Sequence, residues 1–325
     1  MTGVQTCALP ISAVPCRHIL TITSLTAEEV HKILDLAMQM KAHPEYFARD
    51  LEQKTLLMLF EKPSLRTRVS FETGMTRLGG HAIMYSVADS PLGKKETIAD
   101  TAHVLERMVD VVMARLNKRA DIRELAANSK IPVINALDDF AHPTQMLADF
   151  QTIIEKRGTL KGTVLSYFGD VANNVTYDLM RTCALLGLEC HVCGPNKGGQ
   201  YQIEQEVIDE CNALNQKTGG KLLITHDVDE AAKGTNVVYT DTILSYHIPH
   251  DQLEERRKVF KPYQVNAELM AKCEKDCLFL HCLPAVRGDE VTAEVIDGKQ
   301  SVVFDEAENR MWAEMALLHY LVKGF

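Results

Sequence analysis

The chain is 325 residues long, 46% hydrophobic and 24% charged, which leaves room for two domains with sizeable cores and has the balance of a globular protein. Its formal net charge of −9 argues against a nucleic-acid or anionic-membrane surface. No apolar run approaches the roughly 20 residues that cross a bilayer.

Residues 2–11, TGVQTCALPI, read as one frame of a common short-read sequencing adapter. They lack the basic and apolar regions of a signal peptide. Residues 1–16 are therefore expected to be adapter-derived or disordered, outside the fold. Thr26 and Glu29 then form a capping box, with Leu25 and Val30 as its staple. Val30, Ile33, Leu34, Ala37 and Met40 recur at helical spacing and predict the buried face of a first helix. The apolar run 55–60, closed by Pro63, predicts a buried strand. A helix opening at Ser64 follows it, then a short strand over 81–85. Residues 90–96 hold turn formers with Lys94 and Lys95, which predicts a mobile surface loop. A helix over 97–109, a strand over 111–114 ending at Arg115 and a strand over 131–135 lead to His142. Residues 145–156 have helical periodicity and no glycine, so they predict a rigid link.

A second alternating series starts at Thr163. Its predicted strands are 163–168, 188–193, 221–225, 236–239 and 278–281, with helices over 175–186 and 204–215. The charge run 253–258 reads as a solvated helical face, and 309–322 as a final helix. This alternation predicts an α/β protein of two domains, each a parallel sheet covered by helices. Of nine cysteines, Cys190 and Cys193 have C-x-x-C spacing but sit inside a predicted strand. No second C-x-x-C lies at zinc-finger distance. These two, with Cys273 and Cys277, read as reduced core thiols of an intracellular enzyme.

The stretch Ser64, Leu65, Arg66, Thr67, Arg68 carries the chemistry. A helix start offers unpaired N–H groups and a positive dipole end, and so receives an anion. Two arginines and two hydroxyls there predict a phosphate clamp. The bland alternative is a capped surface helix. Two further stretches stand at predicted strand ends: His142-Pro143-Thr144-Gln145 and His281-Cys282-Leu283-Pro284. Pro284 should restrict Leu283 to extended geometry.

With Phe71-Glu72 after the first stretch, these three in order resemble the aspartate/ornithine carbamoyltransferase family, over about residues 17–325. The resemblance implies that Ser64, Leu65, Arg66, Thr67 and Arg68 hold the phosphate of carbamoyl phosphate. Arg66, Arg115 and His142 would lie on the carbonyl oxygen and Gln145 on the carbamoyl nitrogen. Cys282, Leu283 and Arg310 would complete that site. On the acceptor side it implies Asn174, Asp241, Ser245 and Tyr246, with Asp241 and Cys282 orienting amino groups. The cysteine in His-Cys-Leu-Pro marks the ornithine-using branch, and Asn173-Asn174 with Asp241-x-x-x-Ser245 suits an α-amino acid better than a diamine.

The expected reaction is carbamoyl transfer from carbamoyl phosphate to the δ-amine of L-ornithine, giving L-citrulline and phosphate, a step of arginine metabolism. A carbamoyltransferase acting on putrescine or an N-acylated ornithine is the alternative. Tyr246-His247 replaces the usual Met-Gly, and Pro91 stands where a glutamine commonly reaches the neighbouring subunit. The resemblance implies no metal and no organic cofactor. It further implies domains over 17–145 and 146–303, and a C-terminal helix over 304–325 returning to the first domain. The expected assembly is a cytoplasmic homotrimer with active sites at subunit interfaces and no nucleic-acid or membrane partner. A nicotinamide dehydrogenase is disfavoured, because the turn at Gly169-Asp170 lacks G-x-G-x-x-G.

Overall fold

The first helix shows how closely local sequence dictates local structure. In α1 (Ala27–Ala42) the Thr26 hydroxyl accepts from the Glu29 N–H while the Glu29 carboxylate accepts from the Thr26 N–H, and Val30, Ile33, Leu34, Ala37 and Met40 are the buried residues. The structure is a computed structural model and describes residues 17–87, 96–195, 201–244 and 250–325. Expectations for residues 1–16, for the loop over 90–95, and for Ser245, Tyr246 and His247 lie outside the described residues.

The first half alternates β1 (Thr55–Phe60), α2 (Leu65–Arg77), β2 (His81–Ser86), α3 (Ile98–Leu105), β3 (Val111–Arg115), α4 (Arg119–Ala127) and β4 (Val133–Leu137). The four strands pair in parallel in the order β2-β1-β3-β4. β3 and β4 are buried along their whole length, as expected for parallel strands covered on both faces. α5 (Pro143–Arg157) leads to the second half. There β5 (Val164–Phe168), α6 (Asn174–Leu185), β6 (Glu189–Cys193), α7 (Gln205–Thr218), β7 (Lys221–Thr225), α8 (Val228–Ala232), β8 (Val237–Tyr239), α9 (Leu253–Phe260), α10 (Ala267–Lys272), β9 (Leu278–Leu280) and α11 (Ala293–Ile296) follow. This sheet is also parallel, in the order β7-β6-β5-β8-β9. The expected α/β class with two helix-covered parallel sheets is what the chain forms.

The last helix, α12 (Val303–Lys323), packs on α1, α2 and α5. Its contact with α2 requires a glycine: a Cβ at Gly74 would lie 2.9 Å from Met315 Cγ. Leu317, Leu318 and Ala316 on this helix share one buried cluster with Ile33, Phe71 and Phe150. None of the helices in the described residues is long and apolar enough to cross a membrane.

Four expectations need correction. β4 begins at Val133, two residues later than predicted, because Pro132 has no N–H to pair and contributes only its carbonyl, to the Val112 N–H. The final helix starts at Val303, not at 309. Asn309 is buried inside it, where its side chain donates to Thr152 Oγ1 and Glu155. The predicted helix over 97–109 ends at Leu105. The charge run 253–258 is not wholly solvated: Arg256 is buried and donates to the Asp170 carboxylate and the Ile243 carbonyl. α4 was not legible, since Lys118 gives it no side-chain cap and only Ile122, Leu125 and Ala126 are buried. The cysteines conform to expectation: Cys183, Cys190, Cys193, Cys211, Cys273, Cys277 and Cys282 are all free thiols.

Replacing Arg256 by Ala leaves the buried Asp170 carboxylate without its partner, which should destabilise the chain by about 3–5 kcal/mol. Denaturant unfolding checks this. A loss under 1 kcal/mol would mean that water or another cation satisfies Asp170.

Candidate active site

Open α/β sheets bind ligands beyond the carboxyl ends of their strands, and here the two sheets present those ends to one cleft. Ser64 follows β1, Arg115 ends β3, and His142 follows β4. Asp170 follows β5, Asp241 follows β8, and Cys282 follows β9. All six line the same cavity, together with Arg66, Thr67, Gln145, Asn174, Leu283 and Arg310. Its volume of about 170 Å³ suits small metabolites rather than drug-sized ligands.

Ser64 caps α2 in extended geometry and its Oγ accepts from the Thr67 N–H at 3.4 Å. The Thr67 hydroxyl is where the cluster meets: Ser64 Oγ donates to it at 3.1 Å, Arg115 Nη1 at 3.4 Å and Arg310 Nη2 at 3.3 Å. With Arg66 on the cavity wall, three guanidiniums converge on one helix start. Arg115 and Arg310 are buried. Arg310 is held by Glu314, which accepts from Nε at 3.1 Å and from Nη2 at 2.9 Å, and Nη1 donates to Gln145 Oε1 at 2.6 Å. Burial pushes the Glu314 carboxyl up to about 7, although the Arg310 charge pulls the other way.

His142 caps α5, with Pro143 in its first turn. Its N–H donates to Asp178 Oδ2 on α6 at 2.9 Å, which ties the two halves together. The ring is buried and faces Arg310, Arg115 and Arg66. Burial first, then those charges, push its pKa well below the ordinary value. His142 is therefore a neutral imidazole that can offer a hydrogen without carrying charge.

Opposite lies the second polar group. Asp241 is buried; its Oδ1 accepts the Cys282 thiol at 3.3 Å and the Thr242 N–H at 2.7 Å. Burial raises the pKa of both, and the Asp241 charge raises Cys282 further, so Cys282 is a thiol donor and no thiolate. Asn174 donates one amide hydrogen to the Asp138 carbonyl at 2.7 Å. Among the described residues its second hydrogen and its oxygen meet no partner, so both can serve a ligand.

Three predicted features are placed differently. Leu65 is 76% exposed and Arg68 bonds Glu72 at 3.1 Å one turn along. Neither side chain lines the cavity, because successive helix positions point about 100° apart and Arg66 and Thr67 take the inward directions. The guanidiniums that join Arg66 on the cavity wall are those of Arg115 and Arg310, while Arg68 turns away to Glu72. Leu283 is not extended: it has φ 58°, and its N–H folds back onto His281 Nδ1 at 2.9 Å, ahead of a cis Leu283–Pro284 bond.

Asp139, Asp170, Ala172 and Thr242 line the cavity without having been singled out from sequence. So did Asp149, Glu306 and Glu314 behind it go unnoticed. Spacing held a signal for two of these: Asp149 is four residues after Gln145, and Glu314 four after Arg310, the helical distance for side-chain pairing. Asp241, His281 and Cys282 bring three potential ligand atoms within 4.8 Å of one another. Two of the three are already engaged, since His281 Nδ1 takes the Leu283 N–H, Nε2 meets Glu290 at 3.2 Å, and Cys282 donates to Asp241. The trio fits a hydrogen-bonded scaffold better than a metal site.

The family models decide the relationship. Residues 17–155 match the carbamoyl-P binding domain of aspartate/ornithine carbamoyltransferase, and residues 161–321 match its Asp/Orn binding domain. The chain belongs to the aspartate/ornithine carbamoyltransferase family. Among relatives, the ornithine carbamoyltransferase of Pyrococcus abyssi is 45% identical over 310 residues, covering 95% of this chain and 96% of that one. Among solved structures, the ornithine transcarbamoylase of Giardia lamblia is 47% identical, with a TM-score of 0.87 over 95% of this chain and 99% of that one. The ornithine carbamoyltransferase of Pyrococcus furiosus is 45% identical, with a TM-score of 0.89 over 95% and 97%. The family's two binding domains correspond to the two sheets whose strand ends face the cleft.

Arg66→Gln removes one guanidinium from the cavity wall while keeping a hydrogen-bonding side chain. Inorganic phosphate should then bind about tenfold or more weakly, the size of one lost charge-assisted bond. Calorimetry checks this, and unchanged affinity would place the anion elsewhere.

Proposed function

We propose that this chain transfers the carbamoyl group of carbamoyl phosphate to the δ-amine of L-ornithine, giving L-citrulline and phosphate. The observation that carries the reading is one cavity lined on one side by three guanidiniums and a neutral histidine, and on the other by the Asp241–Cys282 pair. The phosphate end is a dianion, which the α2 start with Arg66, Arg115 and Arg310 would neutralise. As the neutral δ-amine attacks the carbamoyl carbon, charge builds on the carbonyl oxygen. Arg66, Arg115 and His142 are donors placed to answer it. The bond between the carbamoyl carbon and the bridging oxygen then breaks, and phosphate leaves with the electron pair and takes up the proton that the attacking nitrogen loses. Gln145 would receive the carbamoyl nitrogen. Leu283 would close the same pocket with Cys282.

Asp241 would accept from an ammonium of the amino acid, with Asn174, Ser245 and Tyr246 around its head group. Putrescine, having no carboxylate, would leave the Asn174 amide unanswered. An N-acylated ornithine would set a neutral amide against Asp241. The relatives' names support L-ornithine over both. Buried free thiols suit a reducing compartment such as the cytoplasm. Leu65 and Val69 on α2, with Ile83 and Tyr85 on the edge strand β2, expose apolar surface that supports assembly, for which we favour a homotrimer with sites at its interfaces.

The test is a side-by-side assay of L-ornithine, putrescine and N-acetylornithine with carbamoyl phosphate, on protein whose mass is measured by light scattering. L-Ornithine should lead by at least about a hundredfold in kcat/KM, at a mass of three chains. A lead for either other acceptor would overturn the acceptor assignment, and a fully active monomer would overturn the assembly.

A further inference from the structure

Gln145 on the cavity wall is backed by three polar side chains, Asp149, Glu306 and Tyr239, that the reaction scheme above does not use. Gln145 and Asp149 lie one turn apart on α5, Glu306 lies in the first turn of α12, and Tyr239 ends β8. Gln145, Asp149, Glu306 and Tyr239 are all buried. Gln145 Nε2 donates to Asp149 Oδ1 at 2.7 Å and to Glu306 Oε1 at 3.1 Å, while its Oε1 accepts from Arg310 Nη1 at 2.6 Å. Glu306 Oε2 accepts the His281 N–H at 2.9 Å, and Oε1 also accepts the Tyr239 hydroxyl at 3.3 Å.

An amide has a donor end and an acceptor end of nearly the same shape. Here the surroundings choose between them. Reversed, Gln145 would set its oxygen against two carboxyl oxygens and its NH₂ against a guanidinium, which is repulsive at both ends. In the orientation observed, the oxygen lies on the Arg310 side, where both residues line the cavity. That is the end able to receive an N–H.

Both carboxyls accept from the same Gln145 NH₂, Asp149 through Oδ1 and Glu306 through Oε1, so the two acids sit side by side. Asp149 Oδ2 is buried and meets no donor among the described residues. Two ionised carboxylates cannot satisfy one another, so a hydrogen between them completes the cluster. We infer that Asp149 and Glu306 share one hydrogen and act as positioning residues, locking the Gln145 amide with its oxygen toward the carbamoyl nitrogen. Burial raises both groups in support of this, Asp149 to about 7 and Glu306 well above its ordinary value. The groups facing the pair are Arg310 from α12, Tyr239 from β8, Gln145 from α5, and the His281 N–H and the Cys282 thiol after β9. The inference rests on the reading of Gln145 given above.

The experiment compares Asp149→Leu with Asp149→Asn, each alone and with Gln145→Ala, in the full-length protein. Asparagine can still accept from Gln145 and supply the shared hydrogen to Glu306, whereas leucine can do neither. Asp149→Leu should raise the KM for carbamoyl phosphate about tenfold or more, the usual cost of losing a supporting partner. The KM for ornithine should stay within about twofold, and Asp149→Asn should lose several-fold less. With Gln145→Ala present, the difference between leucine and asparagine should vanish, since a residue acting through Gln145 has nothing left to orient. Equal losses for leucine and asparagine, or a difference that persists without Gln145, would overturn the inference. If Gln145→Ala alone left carbamoyl-phosphate affinity intact, the reading of Gln145 would fall first and this inference with it. Should Asp149→Leu not fold, Glu306→Met against Glu306→Gln makes the same comparison, and equal losses there would also overturn it.

Discussion

The arrangement depends on gathering positive charge at one point of a chain whose formal net charge is −9. Arg115 and Arg310 are buried and meet at the Thr67 hydroxyl beside Arg66. Guanidiniums brought out of water repel each other, so the fold must compensate each one. Glu314 does this for Arg310 with two bonds to one oxygen. Behind it, the Asp149–Glu306 pair places at most one further negative charge near Arg310 if it keeps its hydrogen. These donors are fixed in place by bonds within the protein, and this is preorganisation in a physical sense.

The elements that hold this point come from both ends of the chain. α5 carries His142, Gln145 and Asp149, and α12 carries Glu306, Arg310 and Glu314. These two helices pack on each other, so a shift of one displaces three polar residues at once. Bonds between the halves add to this. The His142 N–H reaches Asp178, the Asn174 amide reaches the Asp138 carbonyl, and Arg119 pairs with Glu204 and Glu206. The opposite wall is held by Asp241, Cys282 and the His281–Glu290 contact. Glu306 joins the two walls, since it accepts from Gln145 and from the His281 N–H.

Much of this was readable from residues. Alternating apolar runs located all nine strands among the described residues to within two positions, because parallel strands are short, apolar and bounded by turns. Ser64, Arg66, Thr67, Arg115, His142, Gln145, Asn174, Asp241, Cys282, Leu283 and Arg310 were named in advance and line one cavity. Direction was harder to read than position. Ser64 to Arg68 are adjacent in sequence, but a helix turns Arg68 outward to Glu72. Leu283 obeys a hydrogen bond to His281 that no local rule contains. Arg256 and Glu306 look like surface charges until partners far along the chain, Asp170 and Gln145, bury them.

The state of His142 tests the central claim most directly, because burial and the three surrounding guanidiniums act on it together. Nitrogen-15 spectra of histidine-labelled protein, with His142 assigned through a His142→Asn variant, would follow its ring through a titration. A ring that is still neutral well below the ordinary value near 6.5 is the result this account predicts. A ring that titrates near 6.5 would contradict it, since the guanidiniums could not then be gathered around a dry imidazole.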